Sequence, residues 1–327
     1  MKNPTIPGTD LQPYPICLGC GPLGSTVDEP AAFRLLDAFV DHGGNFVDSA
    51  KIYADWIPGI ERSISEKTIG RWLQARRNRS RVIVATKGAH PELVSMHVGR
   101  LSPQEIRSDL DASLSHLQVD TIDLYWLHRD DTARPVEEIL ETLNQAVSAG
   151  KIRYYGCSNW QAARIQTAQA YSAAHSLPGF CGDQMMWSLA AVDTARVGDP
   201  TLAIMNPDLW ELHRASGLAA IPYSSQANGF FQKMEHGLLS SSAQQTGMYG
   251  LPENGLRYTR ARQLAAELTL TTSQVVLAYL LSQPFLTIPI VGCRTMEQLE
   301  DSLQAAETRL TESQVNFLQG KDSGRSN

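Results

Sequence analysis

Arg81-Val-Ile-Val-Ala-Thr-Lys87 leads, through a stretch opened by Ser102-Pro-Gln-Glu105, to Ile122-Asp-Leu-Tyr-Trp-Leu-His128. The two flanking runs are dense in Val, Ile, Leu and Tyr and lack clean polar alternation. They therefore read as parallel strands buried on both faces. Between them, Ser102-Pro-Gln-Glu105 is a capping box with proline at the first helical position. Ile106, Leu110, Leu114 and Leu117 follow it at helical spacing. The segment is a strand–helix–strand unit, and each strand ends on a residue that can handle a proton.

The same unit recurs along the chain. Apolar runs stand at 15–19, 45–48, 81–87, 122–128, 152–157, 179–184, 218–223 and 286–291, which makes eight. Helical stretches separate them at 30–42, from Ser102 onward, and at 135–149, 160–174, 207–215, 259–268 and 273–282; two more, 296–306 and 312–318, follow the last strand. Gly43-Gly44 and Gly150 are stop signals, and Asn159 and Asn206 are placed to cap the helices after them. Eight strand–helix units without a break in composition predict one closed (β/α)8 TIM barrel, an α/β fold, with 1–327 as a single domain and 321–327 as a flexible tail. The long loops 188–206 and 226–255 both follow strands, at the barrel face where ligand contacts collect.

With 327 residues, 43% of them hydrophobic, the chain can bury a large core. Its net charge of -6 gives no electrostatic reason to expect nucleic acid or an anionic membrane. The basic run Arg76-Arg-Asn-Arg79 with Arg81 falls where a helix ends and reads as a solvated face. No apolar h-region opens the chain and no apolar run approaches ~18 residues, so neither a signal peptide nor a membrane span is expected. Cys17, Cys20, Cys157, Cys181 and Cys293 are odd in number and mostly set in apolar runs. They read as reduced core residues of a cytoplasmic protein. Cys17-x-x-Cys20 lacks the helix start or second pair of a redox or zinc site. Gly19-Cys-Gly-Pro-Leu-Gly24 fits a dinucleotide fingerprint, but no helix opens at its third glycine and Pro22 has no N–H for a phosphate. These glycines, Gly21 among them, instead let the loop after the first strand pass close to a ligand.

Asp48 and Tyr53 share Asn45-Phe-Val-Asp-Ser-Ala-Lys-Ile-Tyr53, so Asp48, Tyr53, Lys87 and His128 all lie just past predicted strands. A phenol near an ammonium becomes a better proton donor to a developing alkoxide. Lys87 would supply that ammonium, Asp48 would hold it, and His128 would orient the substrate oxygen by a hydrogen bond. No nucleophile or metal cluster is evident, and the set suits protonation of a carbonyl oxygen while hydride arrives from a cofactor.

Phe46-Val-Asp-Ser-Ala-Lys-Ile-Tyr53, Ala85-Thr-Lys87, Asp123-Leu-Tyr-Trp-Leu-His128, Lys151-Ile-Arg-Tyr-Tyr-Gly-Cys-Ser-Asn159 and Ile288-Pro-Ile-Val-Gly292 together resemble the aldo-keto reductase superfamily. The resemblance implies a carbonyl reductase dependent on NADPH, with NADH as the lesser cofactor, and Asp48, Tyr53, Lys87 and His128 as its catalytic tetrad. It implies that Ser158, Asn159 and Gln184 hold the nicotinamide carboxamide and that Tyr223 stacks on the ring. Ser224 and Gln226 match the pyrophosphate loop, Arg294 a position that grips a 2′-phosphate, and Gln298 the adenine end. The expected partner is a small carbonyl or alcohol, and the expected state a monomer or weak homo-oligomer. Trp56, His90, Trp126 and Trp187 are candidates to line the substrate pocket. The rival reading on the same fold is a subunit that senses nicotinamide redox state or regulates a partner.

Overall fold

The apolar runs pair as a single parallel sheet. In the computed structural model, which describes residues 3–239 and 247–321, its strands are β1 (Cys17–Gly19), β2 (Phe46–Asp48), β3 (Ile83–Gly88), β4 (Ile122–Leu127), β5 (Ile152–Ser158), β6 (Gly182–Gln184), β7 (Ala219–Ala220) and β8 (Ile290–Val291). Their order is β7-β6-β5-β4-β3-β2-β1-β8. The last seam closes where Ala220 N–H donates to Leu286 O and Ile288 N–H donates to Ala220 O, both at 2.9 Å. The sheet is thus the expected (β/α)8 barrel.

Helices α1 (Glu29–Asp41), α2 (Ile64–Arg76), α3 (Pro103–Leu117), α4 (Val136–Ser148), α5 (Ala162–Ala174) and α6 (Pro207–Ser216) make the crossovers between successive strands. Between β7 and β8 come α7 (Phe230–Glu235), α8 (Pro252–Leu268) and α9 (Thr272–Leu281), and α10 (Met296–Gln304) and α11 (Glu312–Gln319) follow β8. Ser102 and Glu105 form the predicted capping box of α3, and Asn206 caps α6 by accepting from Leu209 N–H at 2.9 Å. Four elements depart from the sequence reading. Helix α2 ends at the basic run, as expected, but it carries no side-chain N-cap bond and holds Gly70 inside it, so neither start signal nor propensity marked its beginning. Helix α8 opens at Pro252, seven residues before the expected 259, and α7 lies inside the expected loop 226–255. Asn159 does not cap α5, whose N-cap is Gln161.

Residues in register on neighbouring strands fill the barrel. Phe46 lies opposite Ile83, Ala85 opposite Leu124, and Lys87 opposite Trp126. Ile6 and Leu11 join this interior cluster. Their segment is fastened to β5 by Asp10, which accepts from Arg153 Nη2 at 2.6 Å and from Tyr154 OH at 3.0 Å. Trp126 occupies space that glycines leave open, since a Cβ on Gly156 would come within 2.3 Å of its ring. It is fully buried. That corrects its assignment as a pocket-lining residue: it is packed inside the barrel instead.

The five cysteines are buried thiols. No single described helix is long and apolar enough to cross a membrane. Of the expected tail, Lys321 still donates its N–H to Asn316 O at 2.9 Å, and 322–327 lie outside the described residues.

Candidate active site

Asp48 ends β2, Lys87 is the penultimate residue of β3, and His128 follows β4 directly. Adjacent strands thus deliver three of the four proposed groups to one barrel mouth. Tyr53 reaches the same point through a short turn, closed by its N–H on Ala50 O at 3.1 Å and pinned by Lys51 N–H on Lys87 O at 2.9 Å.

Lys87 Nζ donates to a carboxylate oxygen of Asp48, to Ser49 O at 2.7 Å and to Tyr53 OH at 2.9 Å. An ammonium has three protons, and all three are committed. Asp48 accepts a further bond at its other oxygen, from Gln184 Nε2 at 2.9 Å. Lys87 is 2% exposed and Asp48 1%. Burial alone would push the Lys87 pKa down, but Asp48 and then Tyr53 outweigh it and raise it above the usual lysine range. Lys87 is therefore charged, and both oxygens of Asp48 accept hydrogen bonds, as those of a carboxylate do.

Burial is also the largest influence on Tyr53 and raises its pKa; Lys87 and Arg129 pull it back, and the net direction is up. The sequence reading had the lysine lowering this pKa. Its effect has that sign, but desolvation wins. Tyr53 holds its proton firmly at neutral pH, and the ammonium limits the cost of losing it.

The His128 ring stands edge-on to Tyr53 with centroids 5.9 Å apart. Burial first, then the positive charge of Arg129, with Lys87 adding to it, hold its pKa well below the usual histidine range, so the ring is neutral. Its Nδ1 is buried with no hydrogen-bond partner. A buried N–H without an acceptor is rarer than a bare lone pair, which assigns the proton to Nε2 as a donor at the mouth.

Asn159, in the left-handed region at φ 65°, joins the proposed cofactor residues to this centre. Its Nδ2 donates to His128 O at 3.1 Å and Ser158 Oγ at 3.0 Å. Its Oδ1 accepts from Ala203 N–H at 3.0 Å and Tyr223 OH at 2.6 Å. Every hydrogen-bonding position of this amide is used inside the chain, so Asn159 acts as a brace. Ser158 and Gln184 are in register at the ends of β5 and β6. Gln184 Oε1 is buried and unpartnered. Beside a serine hydroxyl, such an acceptor fits the N–H of a carboxamide. Gly21 lies against Tyr53, where a Cβ would be 3.6 Å from the phenol ring.

The remaining expected contacts form a second group. Ser224 Oγ lies 3.4 Å from Asn228 Oδ1. Gln226 Nε2 reaches Ser302 Oγ at 3.4 Å, and Ser302 Oγ in turn donates to Gln298 O at 2.8 Å. This places the loop after β7 against α10. Gln298 Oε1 accepts from Arg294 N–H at 2.8 Å, while the Arg294 side chain is exposed and enters no ion pair among the described residues. An unengaged guanidinium beside a helix start suits a phosphate.

Around the mouth, Trp56 is 56% exposed and packs edge-on against Tyr53 with centroids 6.3 Å apart. Trp187 mostly packs away, against Phe285 and Tyr279. Sequence reasoning passed over Arg129. It donates to His128 O at 2.9 Å, Thr201 Oγ1 at 2.8 Å and Asp199 at 3.1 Å, tying the loop 188–206 to the end of β4. A cation directly after a buried strand's last histidine was the available signal.

A model of the aldo/keto reductase family matches residues 15–323. The chain is similar to norsolorinic acid reductase stcV of Emericella nidulans, at 28% identity over 94% of this chain and 78% of that protein. It is similar to the uncharacterized oxidoreductase YrpG of Bacillus subtilis, at 31% identity over 95% of this chain and 92% of its relative. It is also similar to an aryl-alcohol dehydrogenase [NADP(+)] of Phanerodontia chrysosporium, at 29% identity over 95% and 83%.

Proposed function

The chain belongs to the aldo/keto reductase family, and from that premise we propose that it reduces an aldehyde or ketone to an alcohol with NADPH, with Tyr53 as the acid. The observation that carries this reading is the single ammonium of Lys87, bonded at once to the Tyr53 phenol and the Asp48 carboxylate. When bound, the nicotinamide supplies hydride to the carbonyl carbon. Tyr53 gives its proton to the carbonyl oxygen, and Lys87 stabilises the phenolate left behind. Asp48 keeps Lys87 charged, and the Nε2–H of His128 donates to the same oxygen and orients it.

Ser158 and Gln184 would hold the carboxamide, with the Tyr223 ring fixed by Asn159. Gly21, Ser224 and Gln226 would lie along the cofactor, with Arg294 and Gln298 at its adenosine end. The free guanidinium of Arg294 favours NADPH over NADH. The buried thiols suit a cytoplasmic, single-domain enzyme.

Tyr53→Phe should lower kcat by about 10²–10⁴-fold while leaving NADPH binding intact; near wild-type turnover would overturn the assignment. Fluorescence titration should show wild type binding NADPH more tightly than NADH and Arg294→Ala losing that preference. Equal affinities in wild type would sink the cofactor reading.

A further inference from the structure

His90 brings a second imidazole to the mouth of the site, two residues past β3. The backbone there is held from two sides. Arg100 Nη1 donates to His90 O at 2.9 Å, and the preceding Ala89 N–H donates to Asp109 at 2.8 Å. The His90 ring stands 4.7 Å from that of His128, inclined at 65°. The side chain is thus fixed and is only 8% exposed.

The hydrogen bonding of His90 settles which nitrogen carries its proton. Nδ1 lies 2.6 Å from Pro91 O, and a carbonyl can only accept. The proton is therefore on Nδ1, which leaves Nε2 as a lone pair. Burial, then the charge of Arg129, disfavour the imidazolium and keep the ring neutral. The Nε2 of His90 has no hydrogen-bond partner among the described residues, and the side chain keeps a little exposure at the mouth. The two touching imidazoles thus play opposite roles. His128 offers a donor, which a carbonyl oxygen satisfies. His90 offers an acceptor, which a carbonyl cannot satisfy.

We propose that His90 is a specificity-determining residue that accepts a hydrogen bond from a substrate hydroxyl, so that the preferred substrates are hydroxy-aldehydes and hydroxy-ketones with the hydroxyl adjacent to the carbonyl. Ring centres 4.7 Å apart suit one ligand that presents two different oxygens as near neighbours. A hydroxyl far along the chain would not reach. The inference rests on the roles proposed for Tyr53 and His128.

The test compares kcat/KM with NADPH for acetone against hydroxyacetone, and for acetophenone against its α-hydroxy derivative. Differences in intrinsic reactivity within each pair cancel when wild type is compared with His90→Phe. The preference for the hydroxylated member should fall roughly three- to tenfold in His90→Phe, the worth of one neutral hydrogen bond. His90→Asn, which keeps an acceptor of smaller size, should retain part of the preference and serves if the phenylalanine variant folds poorly. A ratio unchanged in both variants would overturn the assignment of His90 and leave the carbonyl-reductase reading standing. Failure of wild type to reduce any of the four compounds would count first against that reading, and this inference would fall with it.

Discussion

Removing one half of the Lys87–Asp48 pair should cost far more than removing both. The two side chains are 2% and 1% exposed, so whichever charge remains stays in a medium that cannot solvate it. Lys87→Met leaves the Asp48 carboxylate with only the Gln184 N–H at 2.9 Å, and should cost about 3–5 kcal/mol. Asp48→Asn leaves the ammonium only neutral acceptors, Ser49 O, Tyr53 OH and the new amide oxygen, so its cost should sit near the lower end of that range. The double variant is neutral, and replacing a buried pair as a unit often costs little. Its loss should therefore fall short of the summed single losses by at least about 3 kcal/mol, the upper part of the usual coupling range.

The pH dependence gives an independent sign. In wild type Lys87 titrates above its ordinary 10.5, so its contribution is fully present below that pH and is lost only as pH rises through the higher folded value. Without Asp48, burial dominates and the folded pKa drops below the unfolded one. Asp48→Asn should then gain stability as pH rises toward 10.5, because the unfolded chain alone still binds the proton. Urea unfolding of the four proteins across the neutral to alkaline range measures both effects. Additive losses, with no alkaline gain in Asp48→Asn, would refute the argument that this pair is a charged unit.

Three further outcomes follow from the site and its support. His128 is faced by Arg129, His90, Lys87 and Tyr53, and burial and then Arg129 depress its pKa; Arg129→Met should move the acid limb of kcat/KM toward neutral pH and Arg129→Lys should restore it, whereas an unmoved limb would refute the electrostatic role. The same depression means that the unfolded chain gains a proton near 6.5 that folded His128 does not, so His128 contributes a loss of stability as pH falls below that value. Gly156→Ala should lower stability by about 1–3 kcal/mol, since its Cβ would lie 2.3 Å from the Trp126 ring and 2.6 Å from Gly182 O; an unchanged melting temperature would show that the barrel interior relaxes freely.

The strands were legible because burial on both faces leaves a local mark, an unbroken apolar run, and the polar residue ending such a run marks the barrel mouth. Helix α3 was legible for a similar reason, as its capping box lies within four consecutive residues. What escaped notice depends on partners distant in the chain. Gly70 weakens the local case for α2, yet a Cβ there would lie 2.4 Å from His116 O, so the close packing of α2 on α3 requires a glycine. Asn254 falls in the expected loop 226–255, but it lies in the first turns of α8 and bonds Ala191 N–H, Ala191 O and Tyr249 O, each at 2.8 Å. Asn159 is the sharpest case. Its position ahead of a helical stretch suggests a cap, but its amide braces His128, Ser158, Ala203 and Tyr223, groups from β5 and from the segments after β4, β6 and β7. The bond from Gln184 to Asp48 likewise spans the barrel between residues 136 apart in the chain. Sequence can thus single out candidate site groups, because each stands at a strand end or in the turn just past one, but which of them are spent on holding the others emerges only when the barrel closes.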